Sequence, residues 1–213
     1  MRLLTRITPL LLLIFFLASD PLAKAQDISG YFGLGTAQVA SNGQQVDTFG
    51  DGTLYSTSGM GGIFAVLGGD FMWKHWLGFG AEYSTRFTQA GYAGLTYRPN
   101  FYDFNAVLHP FPFPRSTRIV PEIQAGLGGV NYQFYYNQSA CDAFAGCATS
   151  SQYIESSNHF QLHGAAALRI YVTSHIFVKP QVDIRWVNNN YQFGSSWVPE
   201  GSISIGISSG DHK

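Results

Sequence analysis

Along residues 160–186 apolar and polar side chains alternate on two arms joined by a short turn. On the first arm Phe160, Leu162, Gly164, Ala166, Leu168, Ile170 and Val172 share one parity. His159, Gln161, His163, Arg169 and Tyr171 share the other. After Thr173-Ser174-His175, Ile176, Val178, Pro180, Val182, Ile184 and Trp186 alternate with Lys179, Gln181, Asp183 and Arg185. A period of two places successive side chains on opposite faces of a strand, and two such arms around a tight turn form a hairpin. One face is wholly apolar while the charges fall in the middle of the other, which points to a sheet solvated by lipid on its apolar side.

The N-terminal segment has a different character. Arg2 and Arg6 precede an unbroken apolar run over residues 10–17, and Ala23-Lys24-Ala25 offers a small-x-small cleavage site. This is the layout of a secretory signal peptide. The run is too short to cross about 30 Å of hydrocarbon as a helix. The expected division is therefore a signal peptide over residues 1–25 and one barrel domain over residues 26–213. No cysteine stands near the cleavage site, which argues against a lipoprotein.

The mature part is mildly acidic, so nucleic acid is not an expected partner. Only 12% of the chain is charged and 15% is aromatic, too few charges for a water-covered sheet surface. Strand patterns recur near residues 28–40, 59–71, 76–87, 92–109, 119–136, 159–172, 176–189 and 197–208. No helical period appears beyond the signal. Between strands, long polar connections at 41–58 and 137–158 fall on one end with shorter ones at 88–91 and 190–196. The other end has 72–75, 173–175 and the stiff Pro110-Phe111-Pro112-Phe113-Pro114 crossing. Register changes are expected in the fourth and fifth strands. In the fifth, Pro121, Ile123, Ala125 and Leu127 give way to Val130, Tyr132 and Phe134 of opposite parity. Gly128-Gly129 is the predicted β-bulge.

Charged and amide residues gather on one strand parity: Glu82, Arg86, Arg98, Glu122, Gln124, His163, Arg169, Lys179, Asp183 and Arg185. Both signs are present, which suits pairing inside a narrow lumen. Aromatics collect near strand ends, among them Trp73, Trp76, Tyr132, Phe134, Tyr135 and Trp197, as expected of rings at two membrane interfaces. A sheet in hydrocarbon must close to pair its edges. The predicted fold is an all-β, eight-stranded antiparallel up-and-down transmembrane β-barrel, with a polar lumen plugged by side chains. A lipocalin-like periplasmic barrel, with the faces exchanged, is the soluble alternative.

The opening Gln26-Asp27-Ile28-Ser29-Gly30-Tyr31-Phe32-Gly33-Leu34-Gly35 and the stretch Phe177-Val178-Lys179-Pro180-Gln181-Val182-Asp183-Ile184-Arg185-Trp186 resemble strands of the outer membrane protein beta-barrel domain family, the OmpA/OmpX type. The resemblance spans about residues 27–210 and implies a bacterial outer-membrane location. It also implies long loops facing outward, membrane lipid and lipopolysaccharide as surroundings, insertion by the barrel-assembly machinery, and a monomer. The chain departs from the family at Ser209-Gly210-Asp211-His212-Lys213, where many members carry a terminal aromatic.

Chemistry is sparse. Cys141 and Cys147 suit a disulfide that staples a loop in an oxidising compartment. His159 and His163, with Glu122 or Gln124, have the residue types of an acid–base or metal site. Their place on the polar face favours a lumenal hydrogen-bond network, so no catalytic residue, metal or cofactor is expected. No Gly-x-Ser-x-Gly elbow is present, and the glycine-rich pieces precede no helix. The expected role is structural or interactive, through surface loops and an extracellular partner. A small solute pore and a lipid A-modifying enzyme are the alternatives.

Overall fold

A computed structural model of the chain describes residues 27–110, 118–142 and 146–210. The predicted signal peptide and most of the Pro-Phe crossing lie outside the described residues. Among the described residues eleven strands occur in chain order: β1 (Asp27–Ala37), β2 (Gln45–Val46), β3 (Tyr55–Ser56), β4 (Phe64–Met72), β5 (Leu77–Arg86) and β6 (Ala90–Tyr92), then β7 (Leu95–Leu108), β8 (Ile119–Asp142), β9 (Gly146–Tyr171), β10 (Ile176–Val187) and β11 (Trp197–Ser208). Eight of them form one antiparallel ring in the order β5-β4-β1-β11-β10-β9-β8-β7, closed by pairing of β5 with β7. First and last strands meet along Ser29–Ala37 and Glu200–Ser208. The ring leaves no sheet edge within its wall, which is the condition for standing in lipid.

Alternation decides the faces. Outward positions carry large apolar side chains with high exposure, such as Leu67 at 58%, Phe104 at 65% and Ile205 at 64%. Inward positions are buried and mostly polar on β9, β10 and β11. One ladder is interrupted. β9 and β10 pair at Val178↔Ile170 and again at Gln181↔Ala167, but not between them. Pro180 lies in that gap and has no N–H to donate.

Four expectations are corrected. No bulge occurs at Gly128-Gly129. β8 stays in register with β7 from Ile123 to Tyr135 and with β9 from Ile119 to Phe134, and the single shift falls between Phe134 and Tyr135. Nor does β7 change register against β5. The parity of Val130, Tyr132 and Phe134 is instead that of the lumen, where all three are buried, so Tyr132 and Phe134 are not interface rings. The run 137–158, read as a loop, is mostly strand. β8 and β9 continue as a two-stranded ribbon, pairing from Tyr135↔Tyr153 out to Asp142↔Gly146. β7 reaches only to Tyr135, and β10 pairs β9 only as far as Gln161, so the ribbon rises beyond the ring.

Candidate functional site

The inward side chains fall in three layers. At the turn end Tyr31, Val66, Val120, Tyr171 and Phe177 form a small apolar cluster. Two of its rings lie on glycine floors. Tyr31 is opposite Gly68 and Phe177 opposite Gly206, and a Cβ at either glycine would strike the facing ring. Both rings also lie under cations. Lys179 Nζ is 3.9 Å from the Tyr31 centroid, and Arg169 lies 5.2 Å from that of Phe177.

Above this lies the charged layer, in two joined halves. In the lower half Glu122 is the hub. Arg169 Nε donates to its Oε2 at 2.5 Å and Lys179 Nζ lies 2.8 Å from its Oε1. Gln124 Nε2 donates to Oε1 at 2.7 Å, and His109 Nε2 stands 3.5 Å from Oε2. Arg169 also donates to Asp70 at 2.5 Å and to Ser29 Oγ at 2.8 Å. In the upper half Arg185 is the hub. It binds Glu200 through Nη1, and its Nη2 lies 3.3 Å from both Glu82 and Asp103. Its guanidinium sits 5.1 Å from the Phe101 ring. Gln161 donates to Asp103 at 2.5 Å, while Tyr31 and Gln181 each donate to Glu82 at 2.9 Å. Buried charges persist only when paired and hydrogen-bonded, and nearly every group here is both.

The halves meet at His163. Its Nδ1 is 2.8 Å from Asn105 Oδ1 and its Nε2 is 2.8 Å from Asp183 Oδ1. Asn105 donates onward to Gln124 at 3.1 Å. The predicted grouping of His159 and His163 around Glu122 does not form, because His163 reaches Gln124 only through Asn105. His159 lies higher, with Nδ1 3.0 Å from Asn188 O and Nε2 2.8 Å from Ser157 Oγ.

At the loop end the inward side chains are aromatic. Phe193 is fully buried, its centroid 4.7 Å from Tyr132 and 4.9 Å from Tyr97. A 3-10 turn over Tyr191–Phe193 holds it, ended by Gly194 at φ 72°, a backbone state that favours glycine. Tyr132 donates to Asn190 at 2.8 Å, and Asn42 donates to Gly194 O at 3.0 Å. The β2–β3 arm lays Phe49 against Tyr55, Tyr92 and Phe134, and Thr48 bonds Tyr92.

Eight of the predicted polar residues, Glu82, Glu122, Gln124, His163, Arg169, Lys179, Asp183 and Arg185, stand buried together in the lumen. Arg86 faces inward at the rim below Gly62. Arg98 is a correction. Tyr97 and Phe101 take the inward parity of β7, so Arg98 points outward and covers Tyr135 at 6.0 Å. Sequence reasoning missed Asp70, Asp103 and Asn105. The signal for the last two was available, since they alternate with outward Tyr102 and Phe104. Cys141 and Cys147 are direct register partners near the ribbon tip, and no described cysteine is free.

The connecting segments at the loop end differ in charge from the wall, where Arg86 ends β5 and Arg98 lies near the start of β7. Segments 41–58, 88–94, 136–159 and 188–196 at the loop end contain no lysine or arginine, but hold Asp47, Asp51, Asp142 and Glu155. Lys74 lies at the turn end between Trp73 and Trp76, 5.8 and 5.7 Å from their ring centroids.

A closed ring of eight antiparallel strands, apolar outside and lined with ion pairs inside, is the fold that eight-stranded outer-membrane β-barrels of the OmpA/OmpX type also have. Solved structures share the fold. OprG from Pseudomonas aeruginosa superposes with a TM-score of 0.54 at 13% identity, covering 86% of this chain and 96% of that one. Ail of Yersinia pestis, crystallised with the heparin analogue sucrose octasulfate, gives 0.51 at 12% identity over 86% and 99%. Neisserial surface protein A gives 0.51 at 12% identity over 85% and 95%. No protein-family model and no curated protein matches the sequence.

Proposed function

We propose that the chain is an integral protein of a bacterial outer membrane that acts through its loop end, on a sealed barrel, rather than by conducting solutes. The observation that carries this reading is the combination of a three-layer packed lumen with a β8–β9 ribbon rising clear of the wall. The exposed apolar belt and the closed ring support the membrane location. On this reading residues 1–25 are a signal peptide, the assembly machinery inserts the barrel, lipid and lipopolysaccharide surround it as a monomer, and Cys141–Cys147 staples the ribbon tip.

The ribbon offers Tyr136, Tyr153 and Ile154 exposed among Ser, Thr, Asn and Gln, beside an open strand edge. Such an edge suits a neutral, extended protein segment. A polysulfated ligand, such as the one crystallised with Ail, finds no lysine or arginine in these segments. The test is removal of residues 136–158. The shortened protein should keep heat-modifiable migration but lose adhesion of cells to protein-coated surfaces, and intact protein should not be retained on immobilised heparin. Unchanged adhesion would sink the proposal.

One observation favours a second reading, hydrolysis of an ester-linked acyl chain. The Asn188 carbonyl fixes His159 so that Nε2 faces the Ser157 hydroxyl. No carboxylate stands behind this histidine among the described contacts, which leaves the pair without the acid of a full triad. Release of fatty acid from lipopolysaccharide that disappears in Ser157→Ala would establish it.

A further inference from the structure

The charged layer is unbalanced. Its buried acids are Asp70, Glu82, Asp103, Glu122, Asp183 and Glu200, against the permanent cations Arg169, Lys179 and Arg185. The shortfall is local. Arg169 and Lys179 serve Glu122 and Asp70, while Arg185 serves Glu200, Asp103 and Glu82. Among the described ion pairs, Asp183 meets only His163.

Hydrogen-bond direction then fixes the histidine. The Glu122 carboxylate pairs with Arg169 and Lys179, so it accepts and Gln124 must present its NH2 there. Gln124 Oε1 therefore faces Asn105, which donates Nδ2, and Asn105 Oδ1 faces His163. His163 must donate from Nδ1. In the neutral ring Nε2 is then a lone pair, aimed 2.8 Å from a carboxylate oxygen. This is the arrangement by which a second partner orients a metal-binding imidazole.

Gln181 Nε2 donates to Asp183 Oδ1 at 2.7 Å, and each of these two side chains keeps one acceptor without a donor. Asp183 Oδ2 and Gln181 Oε1 are buried with no hydrogen-bond partner. The Asp183 side chain is 1% exposed. A proton shared between His163 and Asp183 Oδ1 would leave both unsatisfied. A cation takes several acceptors at once. One donor atom each from Glu82, His163 and Asp183 lies within 4.8 Å of the others. We infer that Glu82, His163 and Asp183, with Gln181 beside them, hold a divalent cation in the mid-lumen. One imidazole with two carboxylates suits a zinc-class ion over magnesium or calcium. The cation would tie β5, β9 and β10 together and add positive charge where the acids exceed the bases. This site does not depend on what the ribbon binds.

The test uses the full barrel extracted from membranes in detergent, treated with chelator and then given Zn²⁺ alone. Bound metal is read by elemental analysis, and stability by the temperature at which heat-modifiable migration is lost. The folded protein should retain about one zinc per chain and resist a higher temperature with it. His163→Gln and Asp183→Asn should each lose the zinc and the gain while still migrating as folded barrels. If His163→Gln does not fold, Asp183→Asn, which keeps the shape of the side chain, decides alone. Absence of zinc from folded wild type would overturn the site. So would equal zinc in wild type and Asp183→Asn, which would place the ion on another histidine. A stability gain from acidification with none from zinc would assign the gap to a proton and overturn it equally.

Discussion

Glu122 contacts Arg169, Lys179, Gln124 and His109 from the centre of the lower network. Neutralising it would strand the buried Lys179 and leave Arg169 with Asp70 alone, and breaking a buried pair costs about 3–5 kcal/mol. Glu122→Gln should therefore lower the urea midpoint for unfolding in detergent by that equivalent. A parallel loss in Gln124→Ala should be much smaller, since no charge is exposed. Gly206 poses the opposite problem. It pairs with Tyr31 on one side and Phe177 on the other, so a side chain there displaces a ring that Arg169 covers. Gly206→Val should cost about 1–3 kcal/mol by overpacking, read from the same unfolding curves. Neither role follows from composition. Glu122 was legible from its parity, whereas the glycine floors need cross-strand register, which no single strand contains.

At the scale of strands, the alternation on β9, β10 and β11 separated lipid from lumen because both faces there are chemically distinct. Val182→Arg, on the lipid face near mid-strand, should destabilise the barrel by roughly 2–4 kcal/mol in bilayers, and much less in short-chain detergent. Comparing unfolding in the two media checks it. The reading failed on β7 and the upper part of β8 for one physical reason. It took a polar lumen for granted, but the loop end of this lumen is aromatic. Val130, Tyr132 and Phe134 therefore resembled lipid-facing residues, which suggested a bulge, and Arg98 resembled a lumenal charge. The ribbon was missed because Ser, Asn and Gln usually mark loops. Here pairing against a partner strand overrides that preference.

Across the molecule, the proposed seal would rest on two layers, the aromatic one around Phe193 and the ion-pair one around Arg185. Replacing Phe49, Tyr92 and Phe193 together by Ala should expose the upper network to water yet produce no single-channel steps in planar bilayers. Open channels in that variant would mean that the charged layer does not seal. The absence of lysine and arginine from the outward segments has a kinetic meaning as well. Most cell and matrix surfaces are anionic, and a basic binder uses that field to speed its approach. The segments beyond the wall, carrying Asp47, Asp51, Asp142 and Glu155, give little such help, since the basic residues at this end, Arg86 and Arg98, sit on the wall strands. If the loop end binds as proposed, its encounter with an anionic surface should accelerate as salt is added, the reverse of a charge-steered adhesin.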